Sequence, residues 1–392
     1  NHRYDTANYE KIDSMLGTEK DFKSLCESAK KLGIRIMLDG VFSHTGDDSR
    51  YFNRYSRYDS LGAYQSKESP YYGWYKFNKW PDDYESWWGI EILPEVNEDN
   101  SDFIEYITGK NGIARKWLKL GASGWRLDVA DELPDEFLDE FRKAVKEEKA
   151  DGLVLGEVWE DASNKSSYGK LRRYLLGKQL DSVMNYPFAG AVIDFIRDAN
   201  AELFASRVMS IVENYPKEVL DVLMNHLSTH DTMRAITALA GESCAYRYRK
   251  WQSTHSLDEK EYHYGMKLLM AASAMQFALP GVPTIYYGDE AGMQGYKDPF
   301  NRRCYPWGKE NGELVEWYKK LGKIRNENRV FKDGRFEILS AVAGCVAFSR
   351  KNDDEAILVI SNSNPHPITY YVKSEWCDAH DLLGNGKVAA NM

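Results

Sequence analysis

Gly33-Ile34-Arg35-Ile36-Met37-Leu38-Asp39 is an apolar run set off by a glycine and closed by a carboxylate. It reads as a buried strand that ends on an acid. Ahead of it, Thr18-Glu19-Lys20-Asp21 has the form of a capped helix start, and an amphipathic stretch continues to Lys31 before Gly33 stops it. The same grammar returns along the chain. A helix runs to about Leu120, a strand covers Gly124 to Asp128, and a further helix spans Asp135 to Glu147. Strands follow at Leu153 to Glu157, Asp181 to Asn185, Met224 to His230 and Thr284 to Tyr287, each separated by helix-like sequence. Repeated β-then-α units with polar residues at strand ends predict an α/β fold on a parallel sheet, open or closed into a barrel.

Two segments break the pattern. Between Gly40 and about Glu98 the chain is rich in Tyr, Trp, Ser, Asp and Gly and shows no sustained period. A structureless stretch of that size is expected only where it serves the site, so it reads as an irregular lobe inserted after one strand. From about Phe331 the sequence switches to alternating strands: Phe336 to Leu339, Val346 to Phe348, Ala356 to Ser361 and Ile368 to Val372. The predicted organisation is therefore a catalytic α/β domain over residues 1–330, with the lobe at about 40–98, and an all-β domain over 331–392.

Composition narrows the partners. A net charge of −9 argues against nucleic acid, because no basic stripe exists to neutralise phosphates. No apolar run reaches transmembrane length, so no membrane partner is expected. Eleven Trp, 26 Tyr and 15 Phe exceed what a polar chain needs. Most are expected to fill the core, yet Tyr71-Tyr72-Gly73-Trp74-Tyr75 and Trp87-Trp88-Gly89 sit in polar surroundings, where rings suit a wet concave site. Five scattered cysteines (Cys26, Cys244, Cys304, Cys345, Cys377) without a C-x-x-C pair argue against a disulfide framework or a zinc site and favour a reducing, cytoplasmic compartment.

Three carboxylates, Asp128, Glu157 and Asp231, fall at or just past three predicted strand ends. In a βα barrel such ends converge on one rim. Any one of them alone is as readily a helix cap or a loop charge. Arg126, two residues before Asp128, lies on the same strand face. Its charge is expected to keep Asp128 ionised, as a nucleophile requires, whereas a general acid needs a raised pKa. His44 and His230 also lie at or beyond strand ends. No His/Cys spacing supports a metal, so donation to sugar hydroxyls fits better.

The chain resembles the α-amylase family of glycoside hydrolases, within it the neopullulanase and cyclomaltodextrinase-like group. The motifs run in family order: Asn1 to Thr6, Asp39 to His44, Leu93 to Asn97, Gly124 to Asp128, Gly156 to Trp159, Ser228 to Asp231 and Gly281 to Glu290. The resemblance implies a (β/α)8 barrel and the retaining scheme, with Asp128 as nucleophile, Glu157 as general acid/base and Asp231 holding the 2- and 3-hydroxyls. It further implies Tyr4 as the platform under the reacting sugar, His44 and His230 as hydroxyl binders, Asp298 and Arg302 as a carboxylate–arginine pair on the same sugar, and Trp159 on the leaving-group side. The implied substrates are maltodextrins, cyclodextrins, starch or pullulan, cut at α-1,4 and also α-1,6 bonds, by a protein expected to form a homodimer at full length. Transglycosylation on the same carboxylates and a non-catalytic glucan-binding relative are the rival readings. No cofactor is required. Ser43 and Glu132 stand where many members have an Asn and a His that serve calcium, so the usual calcium site is expected to be altered. Because the resemblance begins after the second barrel strand, the chain is expected to belong to a longer parent and, alone, to be aggregation-prone or partner-dependent.

Overall fold

The computed structural model describes residues 3–376 and 379–384; Asn1 and His2 of the first motif and Cys377 lie outside them. The chain divides into two compact units, Asn1–Met184 and Asn185–Met392.

The first unit is built on a four-stranded parallel sheet of β1 (Leu38–Gly40), β2 (Gly124–Leu127), β3 (Leu153–Gly156) and β4 (Ser182–Val183), in that spatial order. Helix Glu19–Lys31 precedes β1, with Thr18 and Asp21 closing a reciprocal capping box that satisfies two orphan backbone donors. Helices Ser101–Thr108 and Ile113–Lys119 lead into β2, and Asp135–Glu148 leads into β3. The apolar faces of these elements meet in an aromatic cluster in which Phe42 lies 5.3 Å from Phe141, 5.8 Å from Phe137 and 5.9 Å from Trp125, ring centre to ring centre. Gly124 opens β2 because a Cβ there would stand 2.4 Å from the Leu153 carbonyl oxygen.

Residues 40–98 form the expected irregular lobe, with short 3-10 turns and one hairpin, Phe77–Lys79 against Asp83–Tyr84. Much of the aromatic excess is used here. Tyr51, Phe52, Trp74 and Tyr75 are buried, and the Tyr75 hydroxyl meets Thr45 Oγ1 at 2.8 Å.

The second unit carries the parallel pair β5 (Met224–Asn225) and β6 (Val282–Pro283), with helices Tyr186–Asp198, Ala201–Asn214, Ala235–Ala240, Glu259–Ala278 and Gly312–Glu327. It also carries an antiparallel sheet of β7 (Arg335–Val342), β8 (Cys345–Lys351) and β9 (Ala356–Asn362). Four expectations need correction. The buried strand expected from Ile34 to Asp39 is confined to Leu38–Gly40, with Ile34 and Met37 exposed. The strand expected at Thr284 to Tyr287 forms instead at Val282–Pro283, and Ile285 and Tyr287 are about two-fifths exposed. The strand expected from Met224 to His230 ends at Asn225, so Asp231 lies six residues beyond it in a turn. Ile368 to Val372 alternates in sequence but pairs with no strand among the described residues.

The antiparallel sheet is tied to the helical part of its unit by Arg350, 1% exposed on β8. Its guanidinium donates to the carbonyls of Gly334, Ala278 and Phe331 at 3.1–3.3 Å. Burial lowers its pKa to about 10. Because the loss of a buried partner costs about 1–3 kcal/mol per group, Arg350→Met is expected to lower unfolding stability by roughly 3 kcal/mol or more in urea titrations. A loss below about 1 kcal/mol would mean that these carbonyls find other donors.

Candidate active site

Parallel register sets the cluster of the first unit. Asp39 pairs with Arg126 across β1 and β2, and the ladder continues past the strand ends, with Asp128 N–H bonded to Gly40 O and Glu157 N–H to Leu127 O. Asp39, Arg126, Asp128 and Glu157 are thereby brought to one edge of the sheet. Arg126 Nη1 lies 2.7 Å from Asp39 Oδ1 and 2.6 Å from Asp128 Oδ1, and Nη2 lies 2.7 Å from Glu157 Oε2. The last is a charge contact without hydrogen-bond alignment. All three of Arg126, Asp128 and Glu157 are less than a tenth exposed.

Further groups complete this cluster. Tyr4 donates its hydroxyl to Asp39 Oδ2 at 2.8 Å, and burial together with the Asp39 charge keeps that phenol protonated well above its ordinary range. His44 Nε2 contacts the Tyr4 carbonyl at 2.9 Å, its Nδ1 meets Ser43 Oγ at 3.0 Å, and its ring stacks on Trp87. Glu157 accepts from Val129 N–H at 2.9 Å and from Trp159 Nε1 at 3.0 Å. Val129 adopts φ 38°, ψ 51°, a left-handed conformation that a β-branched residue rarely tolerates. Such strain costs on the order of 1–3 kcal/mol and persists where surrounding bonds over-determine it.

Arg126 acts on Asp128 in the expected direction but is outweighed. The Asp128 pKa is pushed up to about 7, first by burial and then by the charges of Glu157 and Asp39, with Arg126 opposing. The expectation that Arg126 alone keeps Asp128 in the ordinary carboxylate range fails because it left out the desolvation of a buried carboxylate.

The second unit assembles its own group. His230 Nε2 lies 3.1 Å from Asp231 Oδ2, while Arg302 reaches Asp231 Oδ1 at 3.2 Å and Asp298 Oδ1 at 2.8 Å. Arg302 Nε also donates to the His230 carbonyl at 2.9 Å. Asn301 Nδ2 holds the turn from beneath, at 2.7 Å from His230 O and 2.6 Å from Thr232 O. Arg234, fully buried, donates to Asn301 O at 2.8 Å, pairs with Asp289 at 3.3 Å and stacks on the Tyr286 ring.

Tyr4, His44, Arg126, Asp128, Glu157 and Trp159 therefore share the first unit, and His230, Asp231, Asp298 and Arg302 share the second. Sequence reasoning assigned no role to Asp39, Val129, Asn301 or Arg234. Asp39 carried a signal, since it closes a strand, but its partnership with Arg126 depends on register. At the two positions where the resemblance implies calcium-serving residues, the side chains make other contacts. Both Glu132 carboxylate oxygens accept indole N–H groups, from Trp87 at 2.6 Å and Trp88 at 2.8 Å, and Ser43 faces His44. Among the described residues no cluster of three acidic, His or Cys side chains has metal-binding geometry.

The model of the alpha-amylase catalytic domain matches residues 1–329. An amylopullulanase of Thermoanaerobacter thermohydrosulfuricus is 42% identical over 90% of this chain and 25% of its own length. A cyclomaltodextrinase of a Bacillus species is 33% identical over 93% of this chain and 60% of its own. The debranching enzyme of Nostoc punctiforme superimposes with a TM-score of 0.78 at 31% identity, over 93% of this chain and 72% of that one. The chain spans 20–30% of the length of the three amylopullulanases that it matches. A catalytic-domain match over most of the chain, with the strand-end carboxylates gathered on one arginine, places this protein in the alpha-amylase family.

Proposed function

We propose that the protein is a retaining hydrolase of α-1,4-glucosidic bonds in maltodextrins, cyclodextrins, starch or pullulan, with α-1,6 bonds as a second target. The observation that carries this reading is the sharing of Arg126 by Asp128 and Glu157 at 2.6 and 2.7 Å. Two carboxylates within bonding reach of one guanidinium fit the close pair of a retaining site, about 5–5.5 Å apart, better than the wider gap that admits water in inverting enzymes.

Asp128 attacks the anomeric carbon, Glu157 protonates the departing oxygen, and Glu157 then activates the water that releases the sugar. The scheme requires Glu157 to carry the proton when substrate is bound, with Asp128 ionised beside Arg126. Trp159 orients Glu157 through its indole N–H. Asp231, flanked by His230 and Arg302, binds the hydroxyls of the reacting sugar, and Asp298 fixes Arg302. Tyr4 and His44 line the same sugar. This division of labour needs the parallel strands to close as a (β/α)8 barrel. A homodimer acting in the cytoplasm is the companion proposal, in keeping with the four described cysteines being free thiols.

Asp128→Asn should lower release of reducing sugar from maltodextrin by several orders of magnitude and leave maltodextrin binding largely intact. A variant that keeps a tenth of the activity removes Asp128 from the chemistry. The same substitution should stabilise the protein at pH 8. Between the ordinary value of 3.8 and about 7 the folded state holds a proton that the unfolded chain releases. The stability from this group is therefore full below about pH 4 and lost as pH rises through 7. Thermal melts should show the asparagine variant above wild type at pH 8 and level with it at pH 4; the reverse order would contradict the burial argument. Activity should also survive EDTA, because Glu132 and Ser43 are engaged elsewhere. Rapid inactivation rescued by calcium would overturn that expectation.

A further inference from the structure

Four residues after Asp128, at the end of a 3-10 turn over Ala130–Glu132, the Glu132 carboxylate accepts one indole N–H on each oxygen, from Trp87 at 2.6 Å and from Trp88 at 2.8 Å. Bonds to an ionised acceptor are stronger than neutral ones, so both rings are firmly oriented. The indoles stack on each other with centres 5.2 Å apart and planes 24° apart, and Trp87 stacks in turn on His44 at 4.9 Å and 28°. Exposure rises outward along this column: His44 is buried, Trp87 is half-buried and Trp88 is 76% exposed. Trp88 also takes φ 53°, ψ 27°, a left-handed conformation costly for a bulky residue. A large apolar ring held in water, at the cost of backbone strain, by a carboxylate that consumes its only polar group calls for a ligand with a flat apolar face.

We propose that Trp88 is a stacking platform for a glucosyl unit of the bound chain beyond the reacting sugar, and that Glu132 is its positioning residue. The proposal rests on the hydrolase reading for the identity of the ligand. With its N–H engaged by Glu132, Trp88 offers a sugar only its ring face, and the C–H face of a glucosyl unit complements that surface. The column begins at His44, whose carbonyl partner is Tyr4, and Trp88 stands two ring spacings outward. A short oligosaccharide held at Tyr4 and His44 therefore falls short of it, and a long one reaches it.

The test measures maltose and maltoheptaose binding by calorimetry in an Asp128→Asn background, where turnover does not interfere. Trp88→Ala is expected to weaken maltoheptaose about tenfold, about 1.4 kcal/mol, and to change maltose less than twofold. Glu132→Ala should match it. Glu132→Gln, which keeps one acceptor oxygen and sets an amide N–H against the other indole, should fall between. In the active protein the same variants should raise KM for maltoheptaose more than they lower kcat. Equal effects on both sugars, no effect on either, or no maltoheptaose binding by the parent would overturn the platform. The two readings separate cleanly. Trp88-dependent binding without sugar release by the wild-type protein would defeat the hydrolase reading alone, and sugar release with binding indifferent to Trp88 would defeat the platform alone.

Discussion

One guanidinium, that of Arg126, is shared by the buried Asp128 and Glu157 and by Asp39, whose side chain is still two-fifths exposed. Burying the charge of Arg126, Asp128 or Glu157 alone would cost several kcal/mol per ion. The cluster is tolerable because the partners arrive together, and they arrive together because β1, β2 and β3 run parallel in a register that sets their strand ends side by side. The short strands, the aromatic layer of Phe42, Phe137 and Phe141 beneath them, and Gly124 where β2 approaches β3 all keep that register. Burial then shapes the electrostatics: it raises the Asp128 pKa to about 7, with Glu157 and Asp39 adding to the rise and Arg126 opposing it.

The α/β character, the capped helix Glu19–Lys31, the irregular lobe and the placing of Asp128 and Glu157 at strand ends were legible in the sequence, because each is written in local pattern. What was not legible depends on partners distant in the chain. Thr284 to Tyr287 is apolar enough for a strand, yet the backbone pairs one step earlier, where Val282 N–H meets Leu223 O and Thr284 N–H meets Asn225 O. Ile368 to Val372 alternates as a strand does, but alternation states only that one face is apolar. Asp39 could be seen to close a strand, whereas its salt bridge to Arg126 follows from a register that no single-strand pattern contains. The raised pKa of Asp128 was missed because a pairwise reading counts Arg126 and omits first the burial of the carboxylate and then the charges of Glu157 and Asp39.

Glu132 shows how one substitution within a family motif can redirect a position. By the resemblance, it stands where many members of the family have a His that serves calcium. Read in the structure, its two oxygens match two indole N–H donors, and a ring column runs from His44 to the surface. The position keeps its place beside the proposed nucleophile and orients a pair of aromatic faces.

Val129 and Trp88 are both non-glycine residues in the left-handed region, and a glutamate constrains each. Glu157 accepts from the Val129 N–H, and Glu132 accepts from the Trp88 indole. In the first case the acid proposed to donate the proton also fixes the backbone that follows the proposed nucleophile. These duties are compatible. Each carboxyl oxygen offers two acceptor positions, and the bonds from Val129 and Trp159 occupy one on Oε2 and one on Oε1. A proton can therefore come and go on Glu157 without releasing Val129, so the turn that presents Asp128 stays in place through both halves of the reaction. The strain at Val129 is held by the same side chain whose protonation changes, and the geometry of the nucleophile is insulated from that change.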